Sequence, residues 1–118
     1  FDSLRIYRNP MLRTIDALRN IRGSLPGGLT IMENPKLESL QGILGIHSAG
    51  QLAAGVTRKL ILISDNNPRM CVAPHEMDLL NQMKKRSSLL AADGLVVVMH
   101  PEEPWGDHCQ GVFLVDLI

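Results

Sequence analysis

Aromatic rings are scarce: one Trp, one Tyr and two Phe serve all 118 residues. So few rings leave little to stack on bases or sugars, or to anchor a partner, and any core must be aliphatic. A surplus of positive charge is also missing, with twelve Lys and Arg against twelve Asp and Glu. Nucleic-acid and anionic-membrane binders carry such a surplus, so neither partner is expected. Long apolar runs are absent too. Leu95-Val96-Val97-Val98-Met99 falls far short of the roughly eighteen residues that span a bilayer, and no membrane contact is expected within this segment. No charged start leads into an apolar stretch, so no signal-peptide pattern is visible. The sequence opens on Phe1 and closes on the apolar pair Leu117-Ile118, and it reads as a piece of a longer protein. No Gly-x-Gly-x-x-Gly or phosphate loop occurs, Pro26-Gly27-Gly28 being a turn, and no Asn-x-Ser/Thr sequon is found.

What is present suits one modest globular domain: 45% apolar and 20% charged residues are too apolar and too weakly charged for a disordered chain. The strongest signal is an internal repeat. Leu4-Arg5-Ile6-Tyr7-Arg8-Asn9-Pro10-Met11-Leu12 returns as Leu29-Thr30-Ile31-Met32-Glu33-Asn34-Pro35-Lys36-Leu37, and more loosely as Leu62-Ile63-Ser64-Asp65-Asn66-Asn67-Pro68-Arg69-Met70. Asn9-Pro10 and Asn34-Pro35 lie 25 residues apart, and Asn67-Pro68 follows after 33. Apolar positions then continue at threes, with Ile15, Leu18 and Ile21 after the first copy and Leu40, Ile43 and Ile46 after the second.

Each position has a physical purpose. Leu-x-Ile puts two branched side chains on one face of a short extended segment. Proline fixes its own φ and drives the preceding Asn toward extended backbone, so Asn-Pro reads as a strand end followed by a corner. The Asn amide can bond backbone groups at that corner or in the neighbouring copy. Gly23, Gly27, Gly28, Gly42 and Gly45 mark bends. Ile21-Arg22-Gly23-Ser24-Leu25-Pro26-Gly27-Gly28 would break any helix drawn through the copies. Repeats of this length cannot bury an apolar face alone and must stack. The expected fold is therefore an α/β, leucine-rich-repeat-like solenoid of short parallel strands.

The stretch Leu18-Arg19-Asn20-Ile21-Arg22-Gly23-Ser24-Leu25, continued by Leu29-Thr30-Ile31 and Asn34-Pro35-Lys36-Leu37-Glu38-Ser39-Leu40-Gln41-Gly42-Ile43, resembles the receptor L domain. Asn67-Pro68-Arg69-Met70-Cys71 is similar to that family's Asn-Pro-x-Leu-Cys variant. The resemblance covers about residues 1–73. It implies right-handed β-helix-like coils that bind a protein or peptide outside the cell, without catalysis and without a cofactor. Gly27-Gly28 and the stretch from Ser48 to Lys59 depart from the pattern by widening the bends.

Beyond the repeats, Gln51-Leu52-Ala53-Ala54 suggests a short helical turn. Pro74 opens a better helix. Glu76 and Asp78 suit its positive end, Met77, Leu80 and Met83 recur on one face, and Gly94 stops it. This helix, residues 74–93, is read as a cap on the open end of the coils, since a last coil exposes apolar surface and strand edge. Residues 94–118 form a tail with two expected strands, Leu95 to Met99 and Val112 to Leu117, all within one domain.

Lys84-Lys85-Arg86 is more simply a solvated helix face. Cys71, His75, His100, His108 and Cys109 lack the paired spacing of a zinc site. Glu102, Glu103, Asp107 and His108 share a Pro/Gly-shaped loop with Trp105, but no nucleophile is placed beside them. No catalytic, cofactor or metal residue is assigned. A Cys71–Cys109 bridge and a pair of reduced thiols both remain open, and the L-domain resemblance favours the bridge. The outward strand positions expected to meet a partner are Arg5, Tyr7, Thr30, Met32, Ile63 and Asp65. An intracellular leucine-rich scaffold with free thiols is the alternative, and an appendage of an enzyme the third.

Overall fold

The computed structural model describes residues 2–50, 60–67, 69–72, 74–90 and 97–99. Its strands are parallel and fall into two sheets, accompanied by one α-helix, and among the described residues no sheet closes into a barrel. The larger sheet contains β1 (Asp2–Tyr7), β3 (Gly28–Met32), β5 (Ile61–Ser64) and β6 (Val97–Met99), in the order β1-β3-β5-β6. The smaller pairs β2 (Gly23–Leu25) with β4 (Ile46–Ala49). A 3-10 turn precedes each strand of the smaller sheet, at Asp16–Leu18 and Gln41–Ile43.

The two clean sequence copies superpose element for element. Leu4 faces Leu29 and Ile6 faces Ile31 in the β1–β3 register, as alternation along a strand requires. Asp16 N–H bonds Thr14 Oγ1, and 25 residues on Gln41 N–H bonds Ser39 Oγ, so each 3-10 turn starts on a hydroxyl. The second copy then lies directly against the first. Glu38 N–H donates to the Arg13 carbonyl at 2.8 Å, and the Ser24 and Ser48 hydroxyls meet at 2.9 Å. Gly42 sits where any Cβ would run into the Ile15 carbonyl, so its lack of a side chain sets how closely the copies approach.

Leu29, Ile31, Leu37, Leu40, Ile43, Ile46, Leu60, Ile61 and Ile63 fill an aliphatic core between the sheets, as the dearth of rings required. The third strand is out of step with the sequence reading by one residue. Register pairs Leu29 with Ile61 and Ile31 with Ile63, so Ile61 and Ile63 point inward and Leu62 outward. Ile63, read above as a contact residue on the outer face, is a fully buried core residue.

Helix α1 (Pro74–Leu90) begins at the expected proline and buries Met77, Leu80, Met83 and Ser87 along one face. It runs beside β4. Ser87 Oγ accepts the Ala49 N–H at 3.0 Å while donating to the Met83 carbonyl at 2.7 Å, and Arg86 donates to the His47 carbonyl at 3.3 Å. Those are backbone groups on the side of β4 that β2 does not use, so α1 seals one open sheet edge. It does not end the larger sheet, because the chain returns to it as β6, paired parallel to β5. The helix is thus a crossover between parallel strands, the connection such strands demand. Of the two tail strands expected, Leu95 to Met99 is met by β6 over Val97–Met99, its first two residues lying outside the described ones; Val112 to Leu117 lies outside the described residues, as do the turn at Gln51-Leu52-Ala53-Ala54 and Pro68. Among the described residues, no helix is long and apolar enough to cross a membrane.

Candidate functional site

Each of the first three strands of the larger sheet is followed at once by a residue with positive φ: Arg8 at 56°, Glu33 at 57° and Asp65 at 54°. This left-handed backbone costs a non-glycine residue roughly 1–2 kcal/mol. It swings the chain sharply at the strand end, sending the side chain of that residue outward and the following asparagine inward. Three such residues at equivalent positions need a shared compensation, and the asparagines supply it.

Asn34 is fully buried. Its Oδ1 accepts from both the backbone N–H and the side-chain Nδ2 of Asn9, each at 3.1 Å. Its Nδ2 donates to the Ile6 carbonyl at 3.1 Å and to Asn66 Oδ1 at 3.0 Å. The pattern repeats one strand on, where Asn66 Oδ1 also accepts the Asn34 N–H at 3.2 Å and Asn66 Nδ2 donates to the Ile31 carbonyl at 3.0 Å. An amide has two donors and one oxygen with two lone pairs, and Asn34 uses all four capacities. The expected pairing of Asn9 with Asn34 is therefore met, with Pro10 and Pro35 following each at the corner.

The third corner corrects the sequence reading. Asn66, not Asn67, carries the ladder. Asn67 makes the turn instead: its carbonyl accepts the Met70 N–H at 3.1 Å, as the Asn9 carbonyl accepts Leu12 N–H and the Asn34 carbonyl accepts Leu37 N–H. Its Oδ1 takes the Arg69 N–H at 2.9 Å. One asparagine does both tasks in the first two copies; in the third, one extra residue splits them between Asn66 and Asn67. The signal was present. Ile61 to Asn66 repeats the five-residue step of Leu4 to Asn9 and Leu29 to Asn34, but the proline drew the reading one place along.

Outside the ladder, Arg8, Glu33 and Asp65 line an open pocket of about 590 Å³ with Pro10 and Pro35 as apolar walls. Arg8 Nε lies 3.4 Å from Glu33 Oε1, both groups well exposed, a pairing worth about 0–1 kcal/mol. The Arg5 and Arg8 guanidinium groups each lie over the Tyr7 ring, 4.8 Å from its centre. A second exposed pair, Arg13 with Glu38 at 3.3 Å, repeats the 25-residue step.

Of the outward residues expected to meet a partner, Arg5 and Asp65 are exposed and Tyr7 and Met32 half-buried. Thr30 is buried, as is Ser64, the residue that register places beside Met32. The face is therefore open at Arg5 and Asp65 and covered at Thr30 and Ser64. Cys71 is disulfide-bonded; Cys109 lies outside the described residues, with His100, His108 and the loop holding Glu102 and Glu103. Among the described residues no three His, Cys, Asp or Glu side chains gather as a metal site. No family model, curated protein or solved structure matches the chain.

Proposed function

We propose that the chain is a stack of repeating coils of the receptor L-domain kind, a solenoid segment that binds a protein or peptide without catalysis. The carrying observation is the Asn9–Asn34–Asn66 ladder. It commits the buried polar residues of each repeat to holding neighbours together, which is a scaffold's use of them. What such a scaffold then offers a partner is the row of side chains turned outward just before each ladder residue: Arg8, Glu33 and Asp65, with Tyr7 beside them. Four strands about 4.8 Å apart span roughly 14 Å. That is narrow against the ~800 Å² per partner of a typical protein interface, and it suits an extended peptide or a projecting loop. The disulfide at Cys71 favours an extracellular or cell-surface setting over an intracellular scaffold with reduced thiols.

The test is selection of a random peptide library on the immobilised chain, with Arg8→Glu plus Asp65→Lys as the comparison surface. Peptides that bind the parent should lose about tenfold or more in affinity on the charge-reversed chain, a change of ~1.4 kcal/mol. Binders indifferent to both substitutions, or none at all, would count against this site and this function.

A further inference from the structure

The first coil presents an edge built to receive another unit. We infer that the edge of β1 that no described strand covers is a docking surface for a further parallel coil of the same pattern, an extended apolar-x-apolar segment whose closing asparagine continues the ladder. The inference rests on the stacked-coil reading above.

The ladder itself specifies the occupant. Asn34 makes four side-chain hydrogen bonds and Asn66 makes three. Asn9 makes one, from Nδ2 to Asn34 Oδ1. Its Oδ1 and its second Nδ2 hydrogen have no partner among the described residues. At Asn34 and Asn66 the Oδ1 accepts an N–H and an Nδ2 from the asparagine of the coil before, and Nδ2 reaches the carbonyl three residues upstream of that asparagine. Asn9 has the same two groups open among the described residues, one oxygen able to accept twice and one Nδ2 hydrogen.

The apolar surface agrees. Leu4, Ile6, Leu12, Leu18, Ile21 and Leu25 of the first coil are only partly buried, whereas Leu29, Ile31, Leu37, Ile43, Ile46 and Ala49 in the second are buried. Burial thus falls from the second copy to the first, Ile15 excepted. On the backbone, Arg8 N–H bonds the Met32 carbonyl, so strand alternation turns the Arg5 and Tyr7 N–H groups to the side away from β3.

A second copy of this chain fits poorly. Two β1 edges related by a two-fold axis would run antiparallel, which breaks the ladder. Its other sheet edge is β6, and the sequence after β6, His100-Pro101-Glu102, carries no asparagine.

The experiment joins a peptide with the sequence of residues 28–40 to the first residue of the whole chain. A flexible Gly/Ser tether of about 20 residues holds it near millimolar effective concentration. Amide hydrogen exchange is then read residue by residue. The Arg5 and Tyr7 amides should slow by about tenfold or more against the untethered chain, while the same peptide with Asn34→Ala should give no such slowing. Unchanged exchange at Arg5 and Tyr7 overturns the proposal, as does equal slowing by the Asn34→Ala peptide, which would mean unspecific apolar adhesion. Protection that grows with concentration in the untethered chain would assign the edge to a second copy and also overturns it. The Leu29 and Glu33 amides, bonded to the Leu60 and Ser64 carbonyls, are the internal control. Their protection keeps the stacked reading standing whatever happens at the edge, and fast exchange there would refute the stack itself.

Discussion

The first and second coils are nearly the same sentence written twice, yet they differ in almost every energetic respect. Leu4 and Leu29, Ile6 and Ile31, Asn9 and Asn34 are matched in type and register. The first of each pair is half-buried and the second fully so. Position in the sheet, not side-chain identity, therefore sets what each residue contributes. A copy with described strands on both sides satisfies its asparagine amide and buries its leucines; the first copy, with a described strand on one side, does neither completely.

The widest expected gap separates Asn34 from Asn9. Asn34→Ala removes four hydrogen bonds and strands the Ile6 carbonyl and both flanking asparagines, a loss of about 3–5 kcal/mol. Asn9→Ala removes one bond at an edge, about 1 kcal/mol. Urea midpoints of the two variants give the comparison directly, and equal losses would break it. Apolar truncation should follow the same order. Ile31→Ala opens a cavity in the closed core and should cost about 3–4 kcal/mol, while Ile6→Ala at the open edge should cost about 1–2 kcal/mol.

Closeness of the coils is tested at Gly42. Gly42→Ala places a methyl against the Ile15 carbonyl and should destabilise by about 2 kcal/mol through forced separation. At Ala17, one 25-residue step earlier, a side chain is carried and exposed; replacing it with Ser should be within about 0.5 kcal/mol of neutral. The smallest effect belongs to the exposed pair: Arg8→Ala or Glu33→Ala should shift stability by less than about 0.5 kcal/mol, and less in high salt.

Much of this could be read before any coordinates. The Leu-x-Ile spacing gave the inward faces of β1 and β3, Asn-Pro gave the corners, and Pro74 gave the helix start. These are local rules, written in residues near one another. Three features were not local. The phase of the third strand depended on pairing with β3, which pulled Ile63 inward and moved the ladder from Asn67 to Asn66. The helix was read as an end cap because nothing in Pro74–Leu90 says that the chain rejoins the sheet as β6. The exposure of the outer face is the third, since of the positions expected to meet a partner Thr30 is buried while Arg5, one strand away in register, is exposed. The pocket at Arg8, Glu33 and Asp65 was hidden for a related reason. Its three residues share only a positive φ, which their unlike side chains do not announce.

The side-chain amides of the asparagines carry the account, and NMR can observe them one at a time. Asn34 and Asn66 Nδ2 hydrogens should exchange slowly and show hydrogen-bond couplings to the Ile6 and Ile31 carbonyl carbons, with the Asn67 amide exchanging at the rate of a solvated side chain. A protected Asn67 beside a freely exchanging Asn66, or an Asn34 amide as labile as Asn9, would contradict it.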